Sequence, residues 1–118
     1  MTNQLARLKR LRAEVTHTRN LVADLKVIAG ETPSTQLLQL IDEAEMKLAN
    51  LQGELATLTG EVTKAVRLTL TKPQMIEVMI RREVEGEPFA SIARRLKRSV
   101  WRTRGLHKQG VKLLTAAR

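Results

Sequence analysis

The sequence of 118 residues contains no cysteine and no tyrosine, a single phenylalanine and a single tryptophan, and two histidines. Without cysteine, the chain cannot form disulfides, use a thiol nucleophile or bind zinc through thiolates. Strands favour aromatic and β-branched residues, so the scarcity of aromatics argues against an all-β fold. No apolar run approaches the roughly 20 residues that span a bilayer. The start of the chain also lacks the apolar core of a signal peptide. We therefore expect a helical, cytoplasmic protein.

The charge of the chain is strongly positive and unevenly distributed. The formal net charge is +9. Residues 71–118 carry 12 basic and 4 acidic residues, whereas residues 31–70 are net negative. Glu87 is the last acid, and nine basic residues occur from Arg94 to Arg118. A block of one sign repels itself unless a polyanion neutralises it, so we expect nucleic acid as the partner. A solvated basic face and affinity for anionic lipid are the alternatives.

Two segments of the N-terminal half have the apolar spacing of coiled-coil helices. Residues 4–29 predict the first helix, with Leu5, Leu21 and Ile28 widening its apolar stripe. Residues 33–70 predict a second, longer helix. The positions spaced by three and four are Leu8, Leu11, Val15, Thr18, Val22, Leu25 and Ala29 in the first, and Leu37, Ile41, Ala44, Leu48, Leu51, Leu55, Leu58, Val62, Ala65 and Thr69 in the second.

The segment between these helices predicts a tight connection. Gly30 suits a left-handed position at the end of the first helix, Thr32 can cap the second, and Pro33 suits its first position. A short loop favours an antiparallel hairpin. Because the second helix is the longer one, Leu58, Val62 and Ala65 need another partner, either the C-terminal domain or a second subunit.

Residues 71–118 predict a separate domain of short helices. Thr71 and Gln74 have the spacing of a capping box, which would start a helix whose apolar face includes Met75 and Met79. The segment Glu85–Pro88 predicts a turn, and Phe89–Leu96 predicts a short helix. After a turn at Lys97 and Arg98, Ser99 can cap a last helix that runs to about Leu114. Its predicted inner face comprises Thr103, Leu106, Gly110, Leu113 and Leu114.

Two short helices joined by a tight turn, the second rich in arginine and lysine, predict a helix-turn-helix. Ala93 is a small residue where the helices would cross. Val100, Trp101, Arg104 and Lys108 lie opposite the inner face of the last helix. The predicted DNA-binding residues are Arg94, Arg95, Lys97, Arg98, Ser99, Val100, Trp101, Arg102, Arg104 and Lys108.

These residues have different predicted roles. Arg104 is the best candidate for a bidentate guanine contact, and a phosphate contact is its alternative. Arg94, Arg95, Lys97 and Arg98 surround the turn and are predicted phosphate contacts. Trp101 either touches a thymine methyl group, a sugar or the DNA backbone, or is packed inside the protein. The residues alone leave both interpretations of Trp101 open.

The stretch LTKPQMIEVMIRREVEGEPFASIARRLKRSVWRTRGLHKQGVKLL resembles region 4 of sigma factors. The matching residues are Leu70, Gly86, Ile92, Ala93, Leu96, Ser99, Leu106, Leu113 and Leu114. With its helical N-terminal half, the chain resembles small phage regulators of late transcription in the ArpU/RinA style. The resemblance implies double-stranded DNA as ligand, RNA polymerase as a further partner, and the cytoplasm of a bacterial host. Lys97, Arg98 and Thr103 depart from the pattern, which usually has glycine, an apolar residue and an apolar β-branched residue there.

The expected fold is all-α, with a coiled-coil hairpin in residues 1–70 and a sigma-region-4-like helix-turn-helix in residues 71–118. The expected function is that of a dimeric, sequence-specific regulator of transcription that inserts helix 99–114 in the major groove. One alternative is a small terminase-like subunit of phage DNA packaging. Another is a coiled-coil interaction protein whose basic tail binds nucleic acid without specificity. The sequence has no catalytic constellation, phosphate loop, cofactor motif or metal-ligand spacing, so we do not expect an enzyme.

Overall fold

The computed structural model describes residues 2–116, and every regular element among them is helical. Helix α1 spans Thr2–Glu31, and helix α2 spans Thr35–Thr69. Three shorter helices follow, α3 (Pro73–Met79), α4 (Phe89–Leu96) and α5 (Val100–Ala116), with a π-helical turn at Ile80–Val84 directly after α3. The predicted all-α class is confirmed. No helix within the described range combines the length and the apolar character needed to cross a membrane.

The connection between α1 and α2 differs from the predicted one. Gly30 is helical, and the Thr32 N–H still donates to the Ile28 carbonyl at 2.8 Å, so Thr32 closes the last turn of α1. Ser34 caps α2 instead, since its Oγ accepts a hydrogen bond from the Leu37 N–H at 3.0 Å. The predictions of a left-handed Gly30, a Thr32 cap and Pro33 at the first helical position were therefore wrong. The continuous second helix through Gly53 and Gly60 is confirmed.

The chain divides into two compact units, which do not coincide with a division after residue 70. Residues 10–57 form the two-helix unit, and residues 1–9 with 58–118 form the C-terminal unit. In the two-helix unit the helices lie side by side, and Lys26 Nζ is 2.9 Å from Glu45 Oε1. Its buried side chains are Leu11, Val15, Thr18, Val22, Ile41 and Leu51. Leu21 and Ile28, which were expected to widen the buried stripe, are exposed.

The C-terminal unit contains the side chains with the least exposure. These are Leu8, Val62, Val66, Met75, Val78, Met79, Ile92, Thr103 and Leu114, each less than 2% exposed. Leu58 and Val62, which were predicted to need a partner, are thus buried within a single chain. Val66 lies outside the predicted seam and is buried as well. Leu113 was predicted on the inner face of α5, but it is 48% exposed, because Leu114 occupies that position.

Helices α3 and α5 approach each other closely at Gly110. A Cβ atom at this residue would lie 2.8 Å from both Cγ and Sδ of Met79, and 3.4 Å from Cγ of Met75. Both methionines are buried, so neither can move aside cheaply. The absence of a side chain at Gly110 therefore sets the distance between the two helices.

The start of α3 also differs from the predicted one. Lys72 precedes the helix with extended backbone angles, Pro73 is the first helical residue, and no side chain caps the helix. The Ile76 N–H donates to the Lys72 carbonyl at 3.0 Å. The predicted capping box of Thr71 and Gln74 was wrong, because that spacing would need the helix to begin one residue earlier.

Candidate nucleic-acid interface

The turn between α4 and α5 has a left-handed residue that is not glycine. Lys97 has φ 55° and ψ 45°. Its N–H donates to the Arg94 carbonyl at 3.3 Å, and the Arg98 N–H donates to the Ala93 carbonyl at 3.0 Å. This pair of bonds is a Schellman motif, which satisfies the last carbonyls of α4. Lysine therefore takes the conformation that the sigma-type pattern assigns to glycine, at a cost of about 1–2 kcal/mol.

Ser99 caps α5, as predicted. Its Oγ accepts a hydrogen bond from the Arg102 N–H at 3.1 Å, and its carbonyl accepts one from Thr103 Oγ1 at 2.9 Å. Thr103 is completely buried, and this hydrogen bond satisfies its hydroxyl group locally. A threonine can therefore stand where an apolar β-branched residue was expected. Ile92 and Ala93 of α4 are buried too, and α4 packs against α5.

A cluster around Phe89 joins α4, α5 and the π-helical turn. The Phe89 and His107 rings meet edge to face, with centroids 5.2 Å apart. Arg82 Cζ lies 4.2 Å from the centre of the phenyl ring, and Arg104 Cζ lies 5.6 Å from it. His107 Nε2 is 2.6 Å from Glu83 Oε1. These contacts fix the rotation of α5 about its axis, and with it the direction in which the opposite face of α5 points.

A second polar cluster forms around Glu87, at the beginning of α4. Its Oε1 accepts hydrogen bonds from Ser91 Oγ at 2.6 Å and from Arg95 Nε at 2.8 Å. The hydrogen bond from Ser91, followed by the hydrogen bond from Arg95 and the positive charges of Arg95 and the nearby Arg81, lowers the pKa of Glu87 below its ordinary value. Arg95 is therefore neutralised in part by a protein carboxylate, and its predicted phosphate contact stays a prediction.

Arg81 has carboxylates on three sides. Its Nε donates to Glu77 Oε1 at 2.9 Å, and its Nη1 lies 3.8 Å from Glu85 Oε2 and 3.5 Å from Glu87 Oε2. The hydrogen bond to Glu77 raises the pKa of Arg81 above its ordinary value. Arg81 therefore pairs with carboxylates of its own chain and acts within the fold.

All ten residues predicted to contact DNA are exposed. They are Arg94, Arg95, Lys97, Arg98, Ser99, Val100, Trp101, Arg102, Arg104 and Lys108. Trp101 is 84% exposed, which removes the interpretation that it is packed inside the protein. The first four surround the turn, and the residues from Val100 onward lie on α5.

Four of these residues line one open cleft of about 550 Å³ along α5. The lining residues are Lys72, Trp101, Arg102, Arg104, Gly105, Leu106, Lys108 and Gln109. Four of them are cations, and no acidic residue is found among the lining residues that the structure describes. Sequence reasoning missed Gly105, Gln109 and Lys72. Helical spacing from Trp101 could have identified Gly105 and Gln109, whereas Lys72 comes from a different element and required the tertiary structure.

The described part of the chain contains no group of three histidine, aspartate or glutamate residues that could hold a metal ion. Comparison with known proteins adds no relative: no family model matches the chain, and neither curated proteins nor solved structures give a match. The interpretation of the α5 surface depends on its geometry and charge.

Proposed function

We propose that this protein is a sequence-specific, double-stranded DNA-binding regulator of transcription in which α4, the turn and α5 act as a helix-turn-helix. The observation that carries the proposal is the outward face of α5. It presents Trp101, Arg104 and Lys108 to solvent, while Thr103, Gly110 and Leu114 on the opposite face are buried. An α-helix fits the major groove, and such a face matches the acceptors and methyl groups of base edges.

The cations around the turn would contact phosphates. Arg94, Lys97 and Arg98 are exposed, and no acidic residue occurs after Glu87 to repel a polyanion. Phosphate contacts set the register of a protein on its duplex but carry no direct sequence information. Arg95 would bind phosphate more weakly than its neighbours, because Glu87 competes for its guanidinium group.

The resemblance to sigma region 4 extends the proposal to promoter DNA, with RNA polymerase as a partner and phage late transcription as the setting. Selection of bound fragments from random duplex DNA tests the central claim. We expect a common sequence to emerge and the affinity for it to exceed that for unrelated duplexes at physiological salt. Equal affinity for all duplexes that disappears with salt would instead support a non-specific basic tail.

Replacing Arg104 by alanine tests its predicted contact with guanine. We expect Arg104→Ala to cost about 1–3 kcal/mol on the selected site and to relax the preference at one base pair. Arg19→Ala is the matched control, because Arg19 is an exposed cation of α1 and the same charge is removed. Binding measured by fluorescence anisotropy on the selected site and on its single-base variants distinguishes the two outcomes. A uniform loss on every sequence would make Arg104 a phosphate contact.

We also propose that two copies pair through the two-helix unit, which would present two α5 helices to DNA. The side-by-side packing in this unit supports a coiled-coil hairpin, and its seam residues are used within one chain. An exposed groove remains on this unit, lined by Thr18, Leu21, Leu25, Leu40, Glu43, Ala44 and Lys47. Because Glu43 and Lys47 both line it, a two-fold contact can place opposite charges together.

Solution mass, measured by light scattering with and without Leu40→Asp, tests this pairing. Leu40 is exposed in the single chain, so the variant should fold normally. We expect a dimer that becomes a monomer in the variant, together with weaker binding to the selected site. A ring-shaped oligomer would favour the terminase-like alternative, and an unchanged mass would exclude this groove as the dimer contact.

A further inference from the structure

The outward face of α5 places a large exposed apolar side chain next to a glycine with open surroundings. Trp101 is the most exposed large apolar side chain of the described residues, at 84%. One helical turn later, Gly105 has no heavy atom within 4 Å of the position that a Cβ would occupy. The indole therefore lies next to helix backbone that no side chain covers at Gly105, and both residues line the basic cleft.

Neither feature contributes to the stability of the isolated chain. An exposed indole leaves its apolar area in water, and glycine inside a helix costs up to about 1 kcal/mol compared with alanine. Nothing in the fold requires the glycine at this position, in contrast to Gly110, which lies against Met79. The pair therefore indicates a ligand that approaches the helix closely and offers the indole an apolar contact.

The surroundings define the chemistry of that ligand. Lys72, Arg102, Arg104 and Lys108 line the same cleft, so the ligand is anionic as well as locally apolar. In the major groove of duplex DNA, phosphates supply the charge, and the 5-methyl group of thymine is the distinct apolar group on the base edges. A single-stranded nucleic acid offers a different match, the stacking of a whole base on the indole.

We propose that Trp101 and Gly105 form a recognition site for the thymine 5-methyl group. This inference rests on the proposed binding of duplex DNA by α5. The indole covers the methyl group, and Gly105 leaves room for the base edge beside the helix backbone. Arg104 and Lys108 flank this site and bind the neighbouring base acceptors or phosphates of the duplex. The proposal favours the duplex because α5 is a continuous helix of 17 residues whose outward face continues past the cleft to Lys112.

Short alternating dA–dT duplexes and matched dA–dU duplexes, which lack only the methyl group, test the proposal. Alternating dG–dC duplexes with and without 5-methylcytosine add the methyl group in another sequence. Trp101 is the only tryptophan, and the chain has no tyrosine, so intrinsic fluorescence reports on this site in the full-length protein. We expect the methylated duplex of each pair to bind about fourfold more tightly, the ratio for one buried methyl group.

Three variants separate the site from the rest of the binding surface. Because the two Trp101 variants lack the only tryptophan, their binding is measured by the fluorescence anisotropy of labelled duplexes. Trp101→Ala should abolish the difference between dA–dT and dA–dU duplexes while the residual binding keeps its salt dependence, whereas Trp101→Phe should retain a difference. Gly105→Ala should weaken binding to dA–dT although it strengthens the helix. The exposure of both residues means that these variants fold.

Each outcome has a separate meaning for the two proposals. Equal binding to methylated and unmethylated duplexes, with binding otherwise intact, would overturn the methyl site and leave the proposed function standing. Stronger quenching of Trp101 by oligo-dT than by the duplex would also overturn it, in favour of base stacking. No binding to any duplex at low salt would overturn the proposed function itself.

Discussion

The two compact units of this protein bury their apolar side chains to different degrees. Among the described residues, every side chain less than 2% exposed lies in the C-terminal unit, although both units contain parts of α1 and α2. In the two-helix unit, two helices cover only one stripe of each other, and large apolar residues remain exposed. They are Leu21, Val27, Ile28, Leu38, Leu40 and Met46. A third and fourth element packed around a helix, as in the C-terminal unit, is what completes a core.

Truncating one isoleucine in each unit should give the largest contrast. Ile92 is 0% exposed and Ile41 is 7% exposed. We expect Ile92→Ala to lower the free energy of unfolding by about 4 kcal/mol and Ile41→Ala by about 2 kcal/mol, because the cost depends on the cavity that is left. Urea denaturation followed by circular dichroism measures both. A larger loss for Ile41→Ala would mean that the two-helix unit is the better packed of the two.

Two glycines of α5 should respond in opposite directions to the same change. Gly110→Ala forces a Cβ against Met79 and should cost about 1–3 kcal/mol through overpacking. Gly105→Ala meets open space and should gain up to about 1 kcal/mol, as should Gly53→Ala in the two-helix unit. Thermal unfolding of the three variants provides the comparison. A loss of stability in Gly105→Ala would show that its surroundings are less open than described.

Substitutions in the connections between helices should change the free energy of unfolding by smaller amounts. Lys97→Gly should raise the free energy of unfolding by about 1 kcal/mol, because glycine adopts the left-handed conformation without steric cost. Thr32→Gly should lower the free energy of unfolding, because Thr32 has no positive φ for glycine to relieve and glycine makes the unfolded chain more flexible. Denaturation midpoints of both variants test the difference. The two substitutions should also diverge in DNA binding, because only Lys97→Gly removes a predicted phosphate contact.

Lowering the pH should reduce the free energy of unfolding through the Glu87 cluster, by less than the substitutions above. The pKa of Glu87 is lowered in the folded chain, chiefly by the hydrogen bond from Ser91. The stabilisation is therefore present above the ordinary glutamate pKa of about 4.3 and is lost as the pH falls through the lower, folded-state value. Glu87→Gln should flatten this part of the pH dependence of the denaturation midpoint. Glu14→Gln, an equal charge change at an exposed site of the two-helix unit, should leave it unchanged.

Local signals in the sequence predicted much of the helical structure. The span of α4 and the Ser99 cap of α5 were correct, because both depend on residues within one turn of each other. The caps at Thr32 and Thr71 were wrong, since two or three candidate residues stand at each helix start and only the backbone path selects one. The contact of Glu83 with His107 joins distant parts of the chain, so no local pattern indicates it. The π-helical turn at Ile80–Val84 is local, but the apolar spacing of α3 did not indicate it.

The candidate interface was predictable in its residues and less so in its shape. Helical spacing correctly predicted that Arg104 and Lys108 are exposed, because Thr103 and Gly110 define the opposite face. It left the burial of Trp101 open, which the structure resolves as 84% exposed. Spacing could not reveal that Lys72 joins the cleft or that Glu87 holds Arg95, since both depend on how separate elements pack. The assignment of individual residues to bases or phosphates stays a prediction.

Residues 1–9 belong to the same compact unit as residues 58–118, and Leu5 and Leu8 are buried there. During synthesis, this unit can fold only after α5 has emerged from the ribosome. Leu5 and Leu8 therefore remain without their packing partners until then. A fragment that begins at residue 71 would lack these leucines together with Val62 and Val66 and would expose the apolar surface that they cover. The packing of α4 and α5 therefore also depends on residues that precede residue 71, and cutting the chain there would remove part of the core of their unit.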